Sequence, residues 1–104
     1  MVSANNNEKS GDLARTHEFD TGAAWENLAI EGTRRGYVVH GMEGFDYDKA
    51  KNELGIPDDH TVQCMIAIGK KGKNEDLPEK LRARDVPNQR KALKEIIMEG
   101  QFRK

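Results

Sequence analysis

The sequence has a single cysteine, Cys64, among its 104 residues. One thiol excludes an internal disulfide framework and a cysteine-cluster zinc site. Long apolar stretches are also absent, and without about 20 consecutive apolar residues no membrane-spanning helix is predicted. The N-terminal residues lack the apolar core of a secretory signal. We therefore expect a protein of the reducing cytoplasm with no membrane partner.

Nucleophilic and metal-binding side chains are scarce. The only serines, Ser3 and Ser10, lie in a polar segment over residues 1–16 that is predicted to be a disordered lead-in. Cys64 lies within an apolar strand, where a small buried side chain is the expected role. The three histidines at 17, 40 and 60 do not have metal-ligand spacing. The sequence thus predicts neither a hydrolase triad, nor a catalytic side chain, nor a metal site.

Charge is unevenly distributed along the chain, although the net charge is −1. Residues 1–69 carry 6 basic and 12 acidic side chains, whereas residues 70–104 carry 11 basic and 6 acidic ones. The basic part suits a phosphate or an acidic partner, and an ordinary solvated surface explains it equally well. Lys70 and Lys71 are weaker anion-binding candidates, because no Ser or Thr follows them as in a phosphate loop. Phe102 is the only aromatic residue after Tyr47, which disfavours nucleic-acid binding.

Apolar spacing and turn residues predict a mixed α+β (α/β) fold. The predicted elements are a helix over 22–35, a strand over 37–42, a helix over 47–54, a largely buried strand over 61–68, a helical turn over 77–82 and a final helix over about 89–99. Asp20 or Thr21 and then Asp46 are expected helix caps, and Gly36 and Gly55 are expected helix ends. Because a two-stranded sheet is marginal alone, helices on a small sheet should be completed by dimerisation.

Four strings carry a family resemblance. They are FDTGAAWENLA at 19–29, GYVVHGMEGFDYDKAKNELGI at 36–56, MIAIGKKG at 65–72 and LPEKLRARDVPNQRKALKEI at 77–96. In this order and spacing they resemble the C-terminal half of the nitroreductase family, which are FMN-dependent oxidoreductases that use NAD(P)H. The resemblance implies a truncated nitroreductase-like half-domain over residues 17–104 and a homodimer with FMN at its interface. It also implies hydride transfer through the flavin to a nitroaromatic or quinone-type acceptor.

The resemblance also assigns cofactor-binding residues. Met42, Glu43 and Gly44 match the family's loop beside the flavin ring, in which the amide at the Glu43 position faces flavin N5. Arg90 and Lys91 match a basic segment that grips the FMN phosphate, for which the planar guanidinium is well suited. A tight turn explains Gly44 without a cofactor, and an ordinary surface position explains Arg90.

Two further hypotheses compete with an FMN enzyme. Members of the family are about twice as long as this chain, and the other half supplies phosphate ligands and much of the central sheet. The chain is therefore also interpreted as a non-catalytic dimerisation or interaction module that has lost FMN. A weaker third hypothesis is an anion-binding or nucleic-acid-binding module formed by residues 70–104.

Overall fold

The computed structural model describes residues 1–102 of the chain. These residues belong to two compact units, one over Met1–Lys71 and one that begins at Gly72. The first unit contains β1 (Val2–Ala4), α1 (His17–Arg34), β2 (Val38–Met42), α2 (Tyr47–Glu53), β3 (His60–Val62) and β4 (Met65–Gly69). The second contains a 3₁₀ turn (Asn74–Asp76), α3 (Glu79–Arg82) and α4 (Leu93–Ile96). The predicted α+β architecture, with helices on small sheets, is confirmed.

The strands of the first unit form two antiparallel pairs. β1 pairs with β3, in a register that sets Val2 opposite Val62 and Ala4 opposite His60. β2 pairs with β4 along five residues, from Val38 opposite Gly69 to Met42 opposite Met65. α1 packs against β1 and β2, and α2 contacts β3. Each pair is only two strands wide, so both depend on helix packing for stability.

The N-terminal segment differs from the expected disordered lead-in. Val2–Ala4 forms β1, and Asn6 bridges to Leu13 across a polar turn. The Asn5 amide also donates to the Asp59 carbonyl at 2.8 Å. The partners of β1 and of Asn5 lie 54 to 60 residues further along the chain, so the local polar composition gives no sign of them.

Helix α1 begins at His17, five residues earlier than predicted, with Thr16 as its cap residue. Asp20 does not cap the helix. Its carboxylate accepts a hydrogen bond from the Thr16 hydroxyl at 3.0 Å, and its amide donates to the Thr16 carbonyl. Asp20 is therefore an acidic residue of the first turn, where a negative charge stabilises the helix dipole.

The predicted strand over 61–68 is divided into β3 and β4. The break falls at Gln63 and Cys64, whose amides both donate to the Met1 carbonyl, at 3.0 and 3.5 Å. The chain leaves its pairing with β1 there and begins a new pairing with β2. Ile68 at the far end of β4 is 54% exposed, so the expectation of a largely buried strand is wrong.

The final helix is much shorter than the predicted 89–99. Residues 87–92 have no regular structure, and α4 covers only Leu93–Ile96. The Glu95 carboxylate accepts from the Ala92 amide at 3.2 Å, which starts the helix, and Ile97 has already returned to extended backbone. Such short helices have little stability of their own.

Burial within the chain is limited. No hydrophobic side chain of residues 1–102 is fully buried, and many large apolar side chains are exposed. The accessible surface is 9497 Å². A folded monomer of 11.7 kDa normally exposes about 5,900 Å². The chain therefore presents far more surface to its surroundings than a self-contained domain of its mass.

Candidate functional site

The turn that follows β2 contains three of the residues assigned by the resemblance. Met42 ends the strand, opposite Met65 of β4. The Phe45 amide donates to the Glu43 carbonyl at 2.9 Å, which closes a tight turn around Gly44. Both Glu43 and Gly44 are exposed, and a Cβ at Gly44 would meet no atom within 4 Å. The structure thus brings Met42, Glu43 and Gly44 together beside open space.

The backbone amide of Glu43 is free to act as a donor. It makes no hydrogen bond to any group in residues 1–102. An exposed N–H of this kind satisfies itself with water or with an acceptor on a ligand. The Glu43 carboxylate likewise has no ion pair within the described chain.

The start of α2 holds the far end of this turn. Asp46 is the helix cap, as predicted, because its carboxylate accepts from the Lys49 amide at 2.9 Å. The rings of Phe45 and Tyr47 stack with their centroids 4.1 Å apart. This cap and this ring pair fix the direction in which the chain leaves Gly44.

Helix α1 supports the strand that leads into the turn. A Cβ at Gly41 would lie 3.3 Å from the Trp25 ring, so the indole packs directly on the β2 backbone. A Cβ at Gly32 would lie 2.4 Å from Cγ2 of Val39, so this glycine permits the close approach of α1. The turn is consequently mounted on a packed helix and strand, which suits a site that must hold its shape.

The predicted phosphate-binding residues belong to the second unit. Arg90 and Lys91 lie in the irregular segment 87–92, and both side chains are exposed. Neither forms an ion pair or a side-chain hydrogen bond within the described residues. Their positive charges are therefore available to an external anion.

Lys70, a weaker candidate, has local partners. Its ammonium lies 4.2 Å from the centroid of the Tyr37 ring, in a cation–π contact. It also donates to the Gly36 carbonyl at 3.2 Å. These contacts tie the end of β4 to the loop before β2, which favours a structural role for Lys70 over anion binding.

A polar cluster that sequence reasoning missed lies beneath β1. The Ser3 hydroxyl oxygen is 2.9 Å from His17 Nδ1 and accepts from the Gln63 amide group at 3.0 Å. Ser3 is only 7% exposed. A serine–histidine contact can mark a nucleophile and its base, but this hydroxyl is shielded from any substrate. The cluster instead ties β1, α1 and the β3–β4 connection together.

Other ionic contacts lie away from the turn. Arg34 and Arg35 both bind the Glu31 carboxylate, and these bonds lower the pKa of Glu31 and raise that of Arg34. The Lys51 ammonium, 2.8 Å from Asp58, lowers the pKa of that carboxyl. All three shifted groups are at the surface, so they contribute little to stability.

Within residues 1–102 no three His, Cys, Asp or Glu side chains cluster as metal ligands. No helix in the same part of the chain is long and apolar enough to cross a membrane.

Known proteins are similar to this chain in sequence. A protein of Mycolicibacterium smegmatis, described as an uncharacterized 15.4 kDa protein in the ask 5′ region, is 33% identical over 90 residues, or 86% of this chain and 60% of its own. Protein DrgA of Synechocystis sp. is 37% identical over 62 residues, which are 60% of this chain and 29% of DrgA. The chain therefore spans less than two thirds of either relative.

Two solved structures are similar to this chain in fold. The crystal structure of an oxidoreductase containing FMN superposes with a TM-score of 0.89 at 35% identity, covering 98% of this chain and 53% of that one. A nitroreductase family protein from Clostridium difficile superposes at 0.60 with 20% identity, which shows the fold alone, and 52% of its length is covered. The family model described as "Nitroreductase family" matches residues 2–70, from β1 through the turn after β2 to the end of β4. The chain belongs to the nitroreductase family.

Proposed function

We propose that this chain forms part of an FMN-dependent oxidoreductase of nitroreductase type that works as a homodimer. FMN, when bound, would accept a hydride from NAD(P)H and deliver it to a nitroaromatic or quinone-type acceptor. The observation that carries the proposal is the open turn at Met42–Gly44, with its free Glu43 amide. Family membership and the likeness to an oxidoreductase that contains FMN support it.

The residues present fit the chemical needs of this cofactor. A flavin ring offers hydrogen-bond acceptors along its edge, and the Glu43 amide is an exposed donor without a partner in the described chain. A phosphate needs cations that are not already neutralised, and Arg90 and Lys91 meet that requirement. Each unit taken by itself therefore offers groups that suit one part of FMN: the Glu43 amide suits the ring, and Arg90 with Lys91 suits the phosphate.

The chain's own groups would act by binding and orientation. An amide donor on a rigid turn favours negative charge on the group that it faces, because no reorganisation is needed at the moment of reaction. The Glu43 carboxylate opposes that effect wherever it lies near the same group. How strongly the site favours negative charge would then depend on the balance between the Glu43 amide and the Glu43 carboxylate.

A second candidate function is a cofactor-free interaction module. It is favoured by the absence of a buried hydrophobic side chain in residues 1–102. Such a module would use its exposed apolar faces for association and would leave the Glu43 amide to water.

The visible absorption spectrum of the purified protein separates the two functions. After FMN is added and the excess removed, we expect a flavin band in equimolar ratio to the chain. Arg90→Ala should weaken FMN binding roughly tenfold to a hundredfold, because a charge-assisted bond contributes about 1–3 kcal/mol. Arg84→Ala is the matched control, since Arg84 is also exposed and belongs to the same unit. A protein that stays colourless would support the interaction module instead.

A further inference from the structure

The end of α1 and the end of β4 meet at a group of basic side chains. Arg34 and Arg35 lie at the C-terminal end of α1, and Lys70 and Lys71 follow β4. We call these four residues the basic cluster. The Lys70 ammonium donates to the Gly36 carbonyl at 3.2 Å, so the two segments are in contact although these residues are 34 positions apart. All four basic side chains are exposed.

The basic cluster is positively charged within a unit that is otherwise acidic. Within residues 1–102 Glu31 is the acidic side chain that binds it, 2.7 Å from Arg34 Nε and 2.6 Å from Arg35 Nε. Four positive charges and one negative charge leave a net charge of +3. Residues 1–71 as a whole carry 8 basic and 12 acidic side chains. The rest of the unit therefore repels a polyanion, and the cluster is where one would bind.

The basic cluster keeps hydrogen-bond donors available for an external anion. Arg35 uses only Nε on Glu31, so both of its terminal nitrogens lack a hydrogen-bond partner within residues 1–102. Arg34 uses Nε and Nη2 and keeps Nη1. Lys71 forms no ion pair or side-chain hydrogen bond in the same part of the chain. Phosphate oxygens suit such donors, because the planar guanidinium matches their geometry.

An aromatic ring accompanies these cations. Tyr37 is 41% exposed, and the Lys70 ammonium lies 4.2 Å from the centroid of its ring. Lys70 is thus occupied by Tyr37 and Gly36, and it holds the ring beside the cluster. The fold thereby supplies the aromatic neighbour that Lys70 and Lys71 lack nearby in the sequence. Cations beside an exposed ring are typical of surfaces that bind single-stranded nucleic acid, since the cations contact phosphates and the ring stacks on a base.

We propose that the basic cluster and Tyr37 bind single-stranded nucleic acid. Arg34, Arg35 and Lys71 contact the phosphates, and Tyr37 stacks on a base. A double helix hides the faces of its bases, and an acidic protein segment has none, so both would leave the ring without a partner. Recognition is independent of base sequence, because every nucleotide has a phosphate and a base face. This binding lies beyond the proposed oxidoreductase function, and its tests involve no FMN.

The first test is the salt dependence of binding, measured by fluorescence anisotropy. The probe is a labelled oligothymidylate of about 12 nucleotides, a length typical of single-strand binding sites. The logarithm of the binding constant should fall with the logarithm of the salt concentration with a slope of about −2, because three phosphate contacts contribute about −0.7 each. Arg35→Gln should reduce the slope to about −1.4.

Lys49→Gln is the matched control for Arg35→Gln. Both side chains are 66% exposed and both substitutions remove one positive charge from the same unit, but Lys49 lies in α2. The control should keep the wild-type slope and affinity. A wild type that does not bind oligothymidylate, or equal losses in the two variants, would overturn the proposal.

The second test reverses the sign of the effect. Glu31→Gln frees both guanidinium groups and removes a negative charge from the cluster, so binding should tighten about twofold to fivefold. Glu53→Gln is the control, because it removes the same charge from an exposed ion pair in α2. Unchanged or weaker binding by Glu31→Gln, or equal tightening in both variants, would contradict the assigned site.

The third test separates single strands from other polyanions. Tyr37→Ala should weaken oligothymidylate binding roughly fivefold to a hundredfold, whereas Tyr37→Phe keeps the ring and should bind like the wild type. Circular dichroism checks the fold of each variant, and the Glu31→Gln result decides the matter if Tyr37→Ala unfolds. Duplex DNA of the same length and polyglutamate should bind more weakly than the single strand. Equal binding of either competitor, or no loss in folded Tyr37→Ala, would overturn the proposal.

Discussion

At the scale of single residues, Glu43 has the clearest consequence for the proposed function. Its amide has no acceptor within residues 1–102, while its carbonyl accepts from the Phe45 amide. The backbone of this residue thus shapes the turn through one group and offers the other to a ligand. Substitution by proline removes the amide hydrogen and keeps the carbonyl, so the two groups can be tested separately.

Glu43→Pro should weaken FMN binding about twofold to tenfold, because it removes a hydrogen-bond donor that contributes roughly 0.5–1.5 kcal/mol. The extended backbone of Met42 in β2 is compatible with a following proline, so the melting temperature should change little. Glu43→Ala keeps the amide and should bind FMN at least as well as the wild type. Fluorescence titration with FMN measures the FMN affinity of both variants. Equal losses in the two variants would implicate the carboxylate instead of the amide.

Residue-level predictions from the sequence succeed where the cause is local. Gly36 and Gly55 end their helices with positive φ angles of 76° and 62°, and Asp46 caps α2. Each depends only on neighbours within four residues. The contact between Ser3 and His17 was missed, because a polar segment gives no sign of a partner from another element.

At the scale of elements, the close approach of α1 to β2 depends on Gly32. Gly32→Ala should destabilise the fold by about 1–3 kcal/mol, because the new methyl group would lie 2.4 Å from Cγ2 of Val39. Val39 has little freedom to move aside, since its branched side chain is restricted in its rotamers. Urea unfolding measures the change.

Gly22→Ala provides the matched control within the same helix. A Cβ at Gly22 would meet no atom within 4 Å. This variant should stabilise the protein by roughly 0.5–1 kcal/mol, because alanine favours helix. Destabilisation by both substitutions would mean that the helix backbone, and not the Val39 contact, is sensitive.

Element boundaries were predicted less well than element types. Apolar spacing together with cap and turn residues identified α1, β2, α2 and α3, but the start of α1 and the division of β3 from β4 were missed. The division comes from a distant partner, because the Met1 carbonyl accepts hydrogen bonds from the Gln63 and Cys64 amides and one strand ends there.

At the scale of the whole molecule, the excess surface should make stability depend on concentration. If folding is coupled to pairing of two copies, raising the protein from 1 to 100 µM should add about 2.7 kcal/mol to the free energy of unfolding. The urea midpoint should rise accordingly. An unchanged midpoint across this range would show that the chain folds as a monomer.

Recognition of the family from four strings is confirmed, whereas the basic segment stays a prediction. The family match ends at residue 70, so Arg90 and Lys91 lie beyond it, in the second unit. Local sequence could identify the turn at Glu43, because its strand, glycine and cap are contiguous. A phosphate-binding site formed by separate segments leaves no such contiguous pattern in the sequence.

The pairing of β1 with β3 also affects the order in which the parts of the first unit fold and open. Joining Val2 to Val62 closes a loop of nearly 60 residues, whereas Met42 and Met65 enclose fewer than half as many. The longer loop costs more chain entropy, by roughly 0.6 kcal/mol for each doubling. β1 has only three residues and the Ser3 cluster to offset that cost. It should therefore dock last during folding and open first in the native state, so its amides should exchange with deuterium sooner than those of β2.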